Sequence, residues 1–291
     1  MDYRIAHITR YRYGEPVTIC HNRVLLAPLT LPWQQCRQFE LAVNPRPALV
    51  QSFGDYFGNT VHYFEIHEPH QELVVRANSL VTCTPPQHPD PAASCAWDNP
   101  CPPPPDLAAG LRLNRLFVLD SPMVYRSRTL ADLARQDFTP GRPLVEAALA
   151  FTRRIHGTFR FQPGSTSVAT PVEQVLEQQR GVCQDFAHLA LGALRSLGLC
   201  ARYVSGYLET DPPPGQPRLE GADASHAWFS LQVPGLGWVD FDPTNGLMPG
   251  PRHITVAVGR DYGDVAPVKG VVLGGREHVL TVSVDVARTE H

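Results

Sequence analysis

The chain has 291 residues, 43% of them apolar and 18% charged, with a net charge of −3. That length suits one large or two modest domains with a buried core, and the composition is that of an ordinary globular protein. No basic footprint points to nucleic acid, no apolar run is long enough to span a bilayer, and the first residues lack a secretory leader pattern. No nucleic-acid or membrane partner is therefore expected, and the expected location is the cytoplasm.

Residues 1–84 read as β-structure. Tyr3 to Tyr13 alternates apolar or aromatic with polar positions, the period of a half-buried strand, and Gly14-Glu15-Pro16 is expected to end it. Val24-Leu25-Leu26, Phe39–Val43 and Leu73–Ala77 read as further strands. Asp55–Phe64 reads as a hairpin, with Gly58-Asn59 suited to the positive φ of a tight turn. Short strands at this spacing predict a sandwich.

Nine prolines fall between residues 85 and 105, ending in Pro102-Pro103-Pro104-Pro105. Proline lacks an N–H and fixes φ, so residues 85–140 begin as a linker or surface loop; a proline-rich docking motif is the weaker reading.

From residue 141 the pattern changes. Pro143 to His156 has helical spacing and stops at Gly157. Thr170-Pro171-Val172-Glu173 predicts another helix start, with Thr170 as N-cap and the glutamate completing a capping box. Cys183 to Leu197 predicts a third helix, closed by Gly198. Strands are expected at Cys200–Glu209, His226–Val233, Gly237–Phe241, Ile254–Val258 and Val279–Val286. Helices first and strands later favour an α+β core over 141–291, closing strands included.

The seven cysteines are odd in number and irregularly spaced, without a Cys-x-x-Cys pair. Free thiols are the expected state, and no structural zinc site is expected. Cys183 differs from the rest by its place in the first turn of a helix. Unpaired N–H groups and the helix dipole there favour the thiolate nucleophile, and the same N–H groups suit an oxyanion.

A base is supplied by Ser225-His226-Ala227-Trp228, opening one strand, while Trp238-Val239-Asp240-Phe241-Asp242-Pro243-Thr244 closes the next. Pro234–Gly237 is short enough to join the two as an antiparallel hairpin, which brings their open ends together. His226 can then meet an aspartate that orients it, with its other nitrogen toward Cys183. Parity does not separate Asp240 from Asp242; register leans to Asp242. Each residue alone has a plainer explanation, since buried free cysteine and structural histidine are common and Asp-Pro-Thr is an ordinary strand-ending turn. The joint pattern outweighs them. Cys200 reads as core, and His188 lies about 140° round the helix from Cys183, a poor place for its base.

Gly181-Val182-Cys183-Gln184-Asp185-Phe186-Ala187-His188, Ala201–Tyr207, Ser225–Trp228 and Phe241–Asn245 resemble the bacterial transglutaminase-like superfamily. Residues 1–84 resemble the β-rich N-terminal domain that accompanies that core in one bacterial group, and Asp261–Gly270 its tail. The resemblance implies a papain-like core with a Cys183, His226 and Asp242 triad. It implies thioester chemistry on a carboxamide or peptide carbonyl, by amidase- or peptidase-type hydrolysis or by amide exchange. The expected partner is a protein or peptide substrate or a small amide; a further alternative is that the β-rich domain recruits a protein partner that the core processes. Without an EF-hand-type loop, neither metal nor cofactor is expected. The rival expectation is a non-catalytic protein- or peptide-binding module on the same scaffold.

Overall fold

A computed structural model describes residues 1–99, 115–210 and 225–289. Its first five strands are β1 (Asp2–Val24), β2 (Gln34–Asn44), β3 (Leu49–Gly54), β4 (Thr60–Ile66) and β5 (His70–Cys83). They form one sheet in the order β2-β5-β1-β4-β3. Tyr3, Ile5, His7 and Thr9 face inward, the period-2 set that the alternation predicts.

Gly14-Glu15-Pro16 does not end β1; it is where β1 changes partners. The register against β5 shifts between Arg12 and Val17, after which β1 pairs with β4 from Cys20 to Val24. Pro16 has no N–H to give to a ladder, so pairing lapses there without the chain turning back. Two leaves thus share one long strand and fold face to face. Val17, Cys20, Val24, Phe64 and Ile66 of one leaf bury in a single cluster with Leu73, Val75 and Ala77 of the other. The β3–β4 hairpin closes through Asp55, whose Oδ1 accepts from the N–H groups of Phe57 (2.9 Å) and Asn59 (2.8 Å). Gly58 alone carries the positive φ, at 85°.

The closing strands β12 (Val268–Gly274) and β13 (His278–Arg288) differ from expectation. Both pair with β1 and so join the N-terminal sheet rather than the core. Alternation along Val279–Val286 predicts a half-buried strand, but periodicity carries no information about which sheet receives it. A chain lacking residues 1–84 is therefore expected to aggregate, because β12 and β13 lose their partner. Size-exclusion chromatography and circular dichroism of the truncated chain would show it; a monomeric, folded core would refute it.

The core is α+β, as the order of its elements predicts. Helices α1 (Arg128–Arg135), α2 (Leu144–Thr158), α3 (Val172–Gln178) and α4 (Cys183–Ser196) lead into β8 (Ala201–Leu208), β9 (Ser225–Val233), β10 (Gly237–Phe241) and β11 (His253–Gly259), numbered after the short strands β6 (Arg160–Phe161) and β7 (Arg180–Gly181). The four long strands form an antiparallel sheet in the order β10-β9-β8-β11. Phe186, Leu189, Ala190 and Leu194 of α4 share the main hydrophobic cluster with Tyr203, Phe229 and Leu231 of the sheet and with Ile5, Val81 and Val286 of the N-terminal leaf.

Two local expectations change. Thr170 does not cap α3, which starts after Pro171 with no side-chain cap; its Oγ1 accepts instead from the Ser167 N–H (2.9 Å). The proline-rich segment caps α2 from outside: Cys95 C=O accepts from Leu144 N–H (2.8 Å) and Ser94 Oγ from Val145 N–H (3.0 Å). Pro102–Pro105 lie outside the described residues. Cys95 is disulfide-bonded, against the free-thiol expectation. Irregular spacing in sequence says nothing of which sulfurs a loop brings together. Cys20, Cys36, Cys83, Cys183 and Cys200 are free.

The N-terminal sheet also closes the free edge of the core. Gln34 and Asn59 act as single rungs of a ladder on β11. Gln34 donates to Thr255 C=O and accepts from Thr255 N–H, both at 2.8 Å, and Asn59 does the same with Val258, both at 2.8 Å. An edge strand with unpaired N–H and C=O groups is a liability that these amides remove. Among the described residues no helix is long and apolar enough to cross a membrane.

Candidate active site

The helix α4 begins at Cys183, preceded by Val182 in extended conformation. Asp185, one turn in, turns its carboxylate back: Oδ2 accepts from Val182 N–H (2.8 Å) and from Thr166 Oγ1 (2.6 Å). That is the acidic half of a capping box, leaving the other first-turn N–H groups without intrahelical partners. Burial pushes the Asp185 carboxyl up, against the hydrogen bonds that hold it down. Gly181 is needed for space rather than for a special φ: a Cβ there would lie 2.7 Å from Asp185 Oδ2. Gly181→Ala should displace this carboxylate and lower the thermal midpoint, by about 1–3 kcal/mol of stability.

Cys183 is partly exposed, and its thiol acts electrostatically on His226. His226, 8% exposed at the start of β9, donates through Nε2 to Asp242 Oδ2 at 2.8 Å, and Nδ1 is not used by that contact. Burial works against the charged imidazole, but Asp242 and Cys183 outweigh it and raise His226 to about 10. Asp242 is fully buried. Burial opposes its charge too, yet the hydrogen bonds from His226 and His253 hold it far below the ordinary carboxylate range.

Regular β9–β10 pairing runs to Phe229↔Phe241, which sets Asp242 diagonal to His226 rather than opposite it. Beyond that point the strand turns under Asp242 control: Oδ1 accepts from the N–H groups of Thr244 (2.9 Å) and Asn245 (3.2 Å). Asp240, the residue parity could not exclude, accepts from Trp228 Nε1 at 3.2 Å instead.

Trp228 is fully buried, with its ring 6.0 Å from that of His226 and edge-on to His253 at 5.4 Å. It fits because residue 206, opposite His226 on β8, is glycine: a Cβ there would meet the Trp228 ring at 2.5 Å and Ile254 C=O at 2.2 Å. Gly206→Ala is expected to cost about 3 kcal/mol, read as a lower urea midpoint, and to loosen His226 through Trp228. Tyr207, by contrast, turns away to the N-terminal sheet, where its hydroxyl bonds His7 Nδ1 (3.0 Å).

His188 is buried and its Nε2 accepts from Tyr262 N–H (3.1 Å); burial lowers it to about 4, so it takes no part with Cys183. Cys200 is partly buried and raised to about 12 by burial, in keeping with a packing role.

The sequence reading did not single out His253 or Asn245. His253 opens β11 and donates through Nε2 to Asp242 Oδ2 at 3.0 Å, while Asn245 Nδ2 donates to the same oxygen at 2.7 Å. Asn245 was legible as part of the Asp-Pro-Thr-Asn run; nothing in the local pattern of Pro251-Arg252-His253-Ile254 marks its histidine. The ligand atoms of His226, Asp242 and His253 lie within 4.8 Å of one another. Both imidazoles point N–H protons at one carboxylate oxygen, so hydrogen bonds fill the space a cation would need.

The Bacterial transglutaminase-like N-terminal region matches residues 3–82, and the Transglutaminase-like superfamily matches residues 131–243. Uncharacterized proteins of Mycobacterium tuberculosis and Mycobacterium bovis are 40% identical over 99% of this chain and 93% of their own length. One from Mycobacterium leprae is 33% identical over 98% of both chains. The crystal structure of a putative cysteine protease from Cytophaga hutchinsonii superposes with a TM-score of 0.73 at 21% identity, covering 100% of this chain and 92% of that one. At that identity the likeness concerns the fold.

Proposed function

The chain belongs to the transglutaminase-like superfamily, and from that premise we propose that it is a cysteine-dependent acyl-transfer enzyme acting on a carboxamide or peptide carbonyl. The observation that carries this reading is the His226–Asp242 pair, an imidazole oriented by a buried carboxylate, with the helix-start thiol of Cys183 acting electrostatically on the same ring. The Cys183 sulfur attacks the carbonyl carbon, and the first-turn N–H groups receive the oxyanion. The His226 imidazolium gives its proton to the leaving amine as the C–N bond breaks, leaving a thioester on Cys183. Water or an amine then attacks the thioester while neutral His226 takes its proton, and the thiolate leaves.

Mass spectrometry after incubation with a peptide library tests this. An acyl mass on the Cys183 peptide is expected, and added amines distinguish transfer from hydrolysis by what is released. A library that leaves no adduct under rapid acid quench, with no product formed, would refute it. No step calls on a metal, so turnover should survive EDTA. A cytoplasmic location belongs to the same proposal, supported by five free thiols among the described residues and opposed by the Cys95 disulfide. Recovery of the protein outside the cytoplasm on cell fractionation would overturn it.

A further inference from the structure

Asp242 carries more donors than an orienting carboxylate needs. Oδ2 alone accepts from His226 Nε2 (2.8 Å), Asn245 Nδ2 (2.7 Å) and His253 Nε2 (3.0 Å), and Oδ1 from two backbone N–H groups. His253 is 7% exposed, and its other nitrogen, Nδ1, is buried without a partner, so its one polar contact of consequence is with Asp242. An ionised carboxylate only accepts, so the His253 proton sits on Nε2. Asn245 and the backbone N–H groups hold the carboxylate in place without help from His253. What His253 adds is a competing claim on the oxygen that His226 uses.

From this geometry we infer that His253 is a positioning residue that weakens the hold of Asp242 on His226. A carboxylate oxygen shared among three donors is a poorer acceptor for each than one shared between two. The imidazolium of His226 is thereby kept able to release its proton to the leaving amine and, once neutral, to take one from the incoming nucleophile. The titratable groups acting on His226 are Asp242 and Cys183, and those acting on Asp242 are His226 and His253. His253 stands at the head of β11, the strand whose edge Gln34 and Asn59 close, so the N-terminal sheet fixes its height against Asp242. The inference rests on the catalytic reading above, and the two are separable by experiment.

His253→Phe keeps a ring beside Trp228 and removes the donor, while His253→Gln keeps a donor at comparable reach. The first readout is the pH profile of Cys183 alkylation by iodoacetamide in the full chain. Phe, by tightening the hold of Asp242 on the imidazolium, should move the alkaline limb of that profile, where His226 gives up its proton, up by about half a pH unit or more, a threefold population change at the midpoint. Gln should restore it. Equal losses in both variants with an unmoved limb would mean that His253 only packs, and would overturn the inference. The second readout needs no reactive thiol: proton NMR of histidine-labelled protein observes the Nε2–H of His226 on Asp242. That resonance should shift further downfield in Phe and return in Gln. If Cys183 proves no more reactive than Cys36, the catalytic reading fails while the NMR shift still decides the role of His253.

Discussion

Cys183→Ala is expected to abolish turnover, a loss on the order of 10⁵-fold or more, with the thermal midpoint nearly unchanged. Alanine suits the first turn of a helix, and the partly exposed thiol leaves little cavity when removed. The companion result is selective alkylation of the native chain. Burial pushes the competing free thiols up, Cys20 and Cys36 in that direction, Cys83 to about 11 and Cys200 to about 12. Each therefore holds little thiolate at neutral pH, while Cys183 is partly exposed in the first turn of a helix, where N–H groups and the helix dipole favour reaction. Iodoacetamide at pH 7 should mark Cys183 first by a wide margin, as counted by peptide mass spectrometry. Uniform labelling, or turnover surviving in the alanine variant, would remove Cys183 from the mechanism.

The candidate site was legible where its geometry depends on local signals. A glycine and a cysteine before a run of helical spacing place Cys183 at a helix start. A nine-residue strand and a four-residue turn place His226 and Asp242 at the same end of a hairpin. What stayed hidden depends on contacts between distant segments. His253 reaches Asp242 because β11 crosses to the far side of β8, and β-strand periodicity carries no neighbour order. The closing strands were misplaced for the same reason, since Val284 and Val286 show a buried face without saying what covers it. Gly206 shows a third kind of limit: its requirement comes from the Trp228 ring and the Ile254 carbonyl, which only packing brings near. The sandwich was legible in strand spacing, but not that one strand would serve both leaves.

Asp242→Asn should reduce turnover by about 10³–10⁴-fold and destabilise the fold by about 3–5 kcal/mol. The size follows from a count of donors. Oδ1 faces two N–H groups and Oδ2 faces three, so an amide NH₂ opposes donors whichever way it turns. The two imidazoles also lose the buried anion that their N–H groups address. The pH dependence has a definite sign. The Asp242 carboxyl is depressed in the fold, so its contribution is present above its unfolded value of about 3.9 and fades as pH falls below it. His226 is raised, so its contribution is complete below its unfolded value of about 6.5 and is lost as pH rises toward about 10. Both contributions are whole only between about pH 4 and 6.5, and both depend on the anion at 242. Urea midpoints of the two proteins should therefore differ most in that window, converge as pH falls below it, and narrow without closing as pH rises toward about 10. A difference that stayed constant across pH would mean the asparagine acts by shape alone, and that the buried charge at Asp242 does not hold His226.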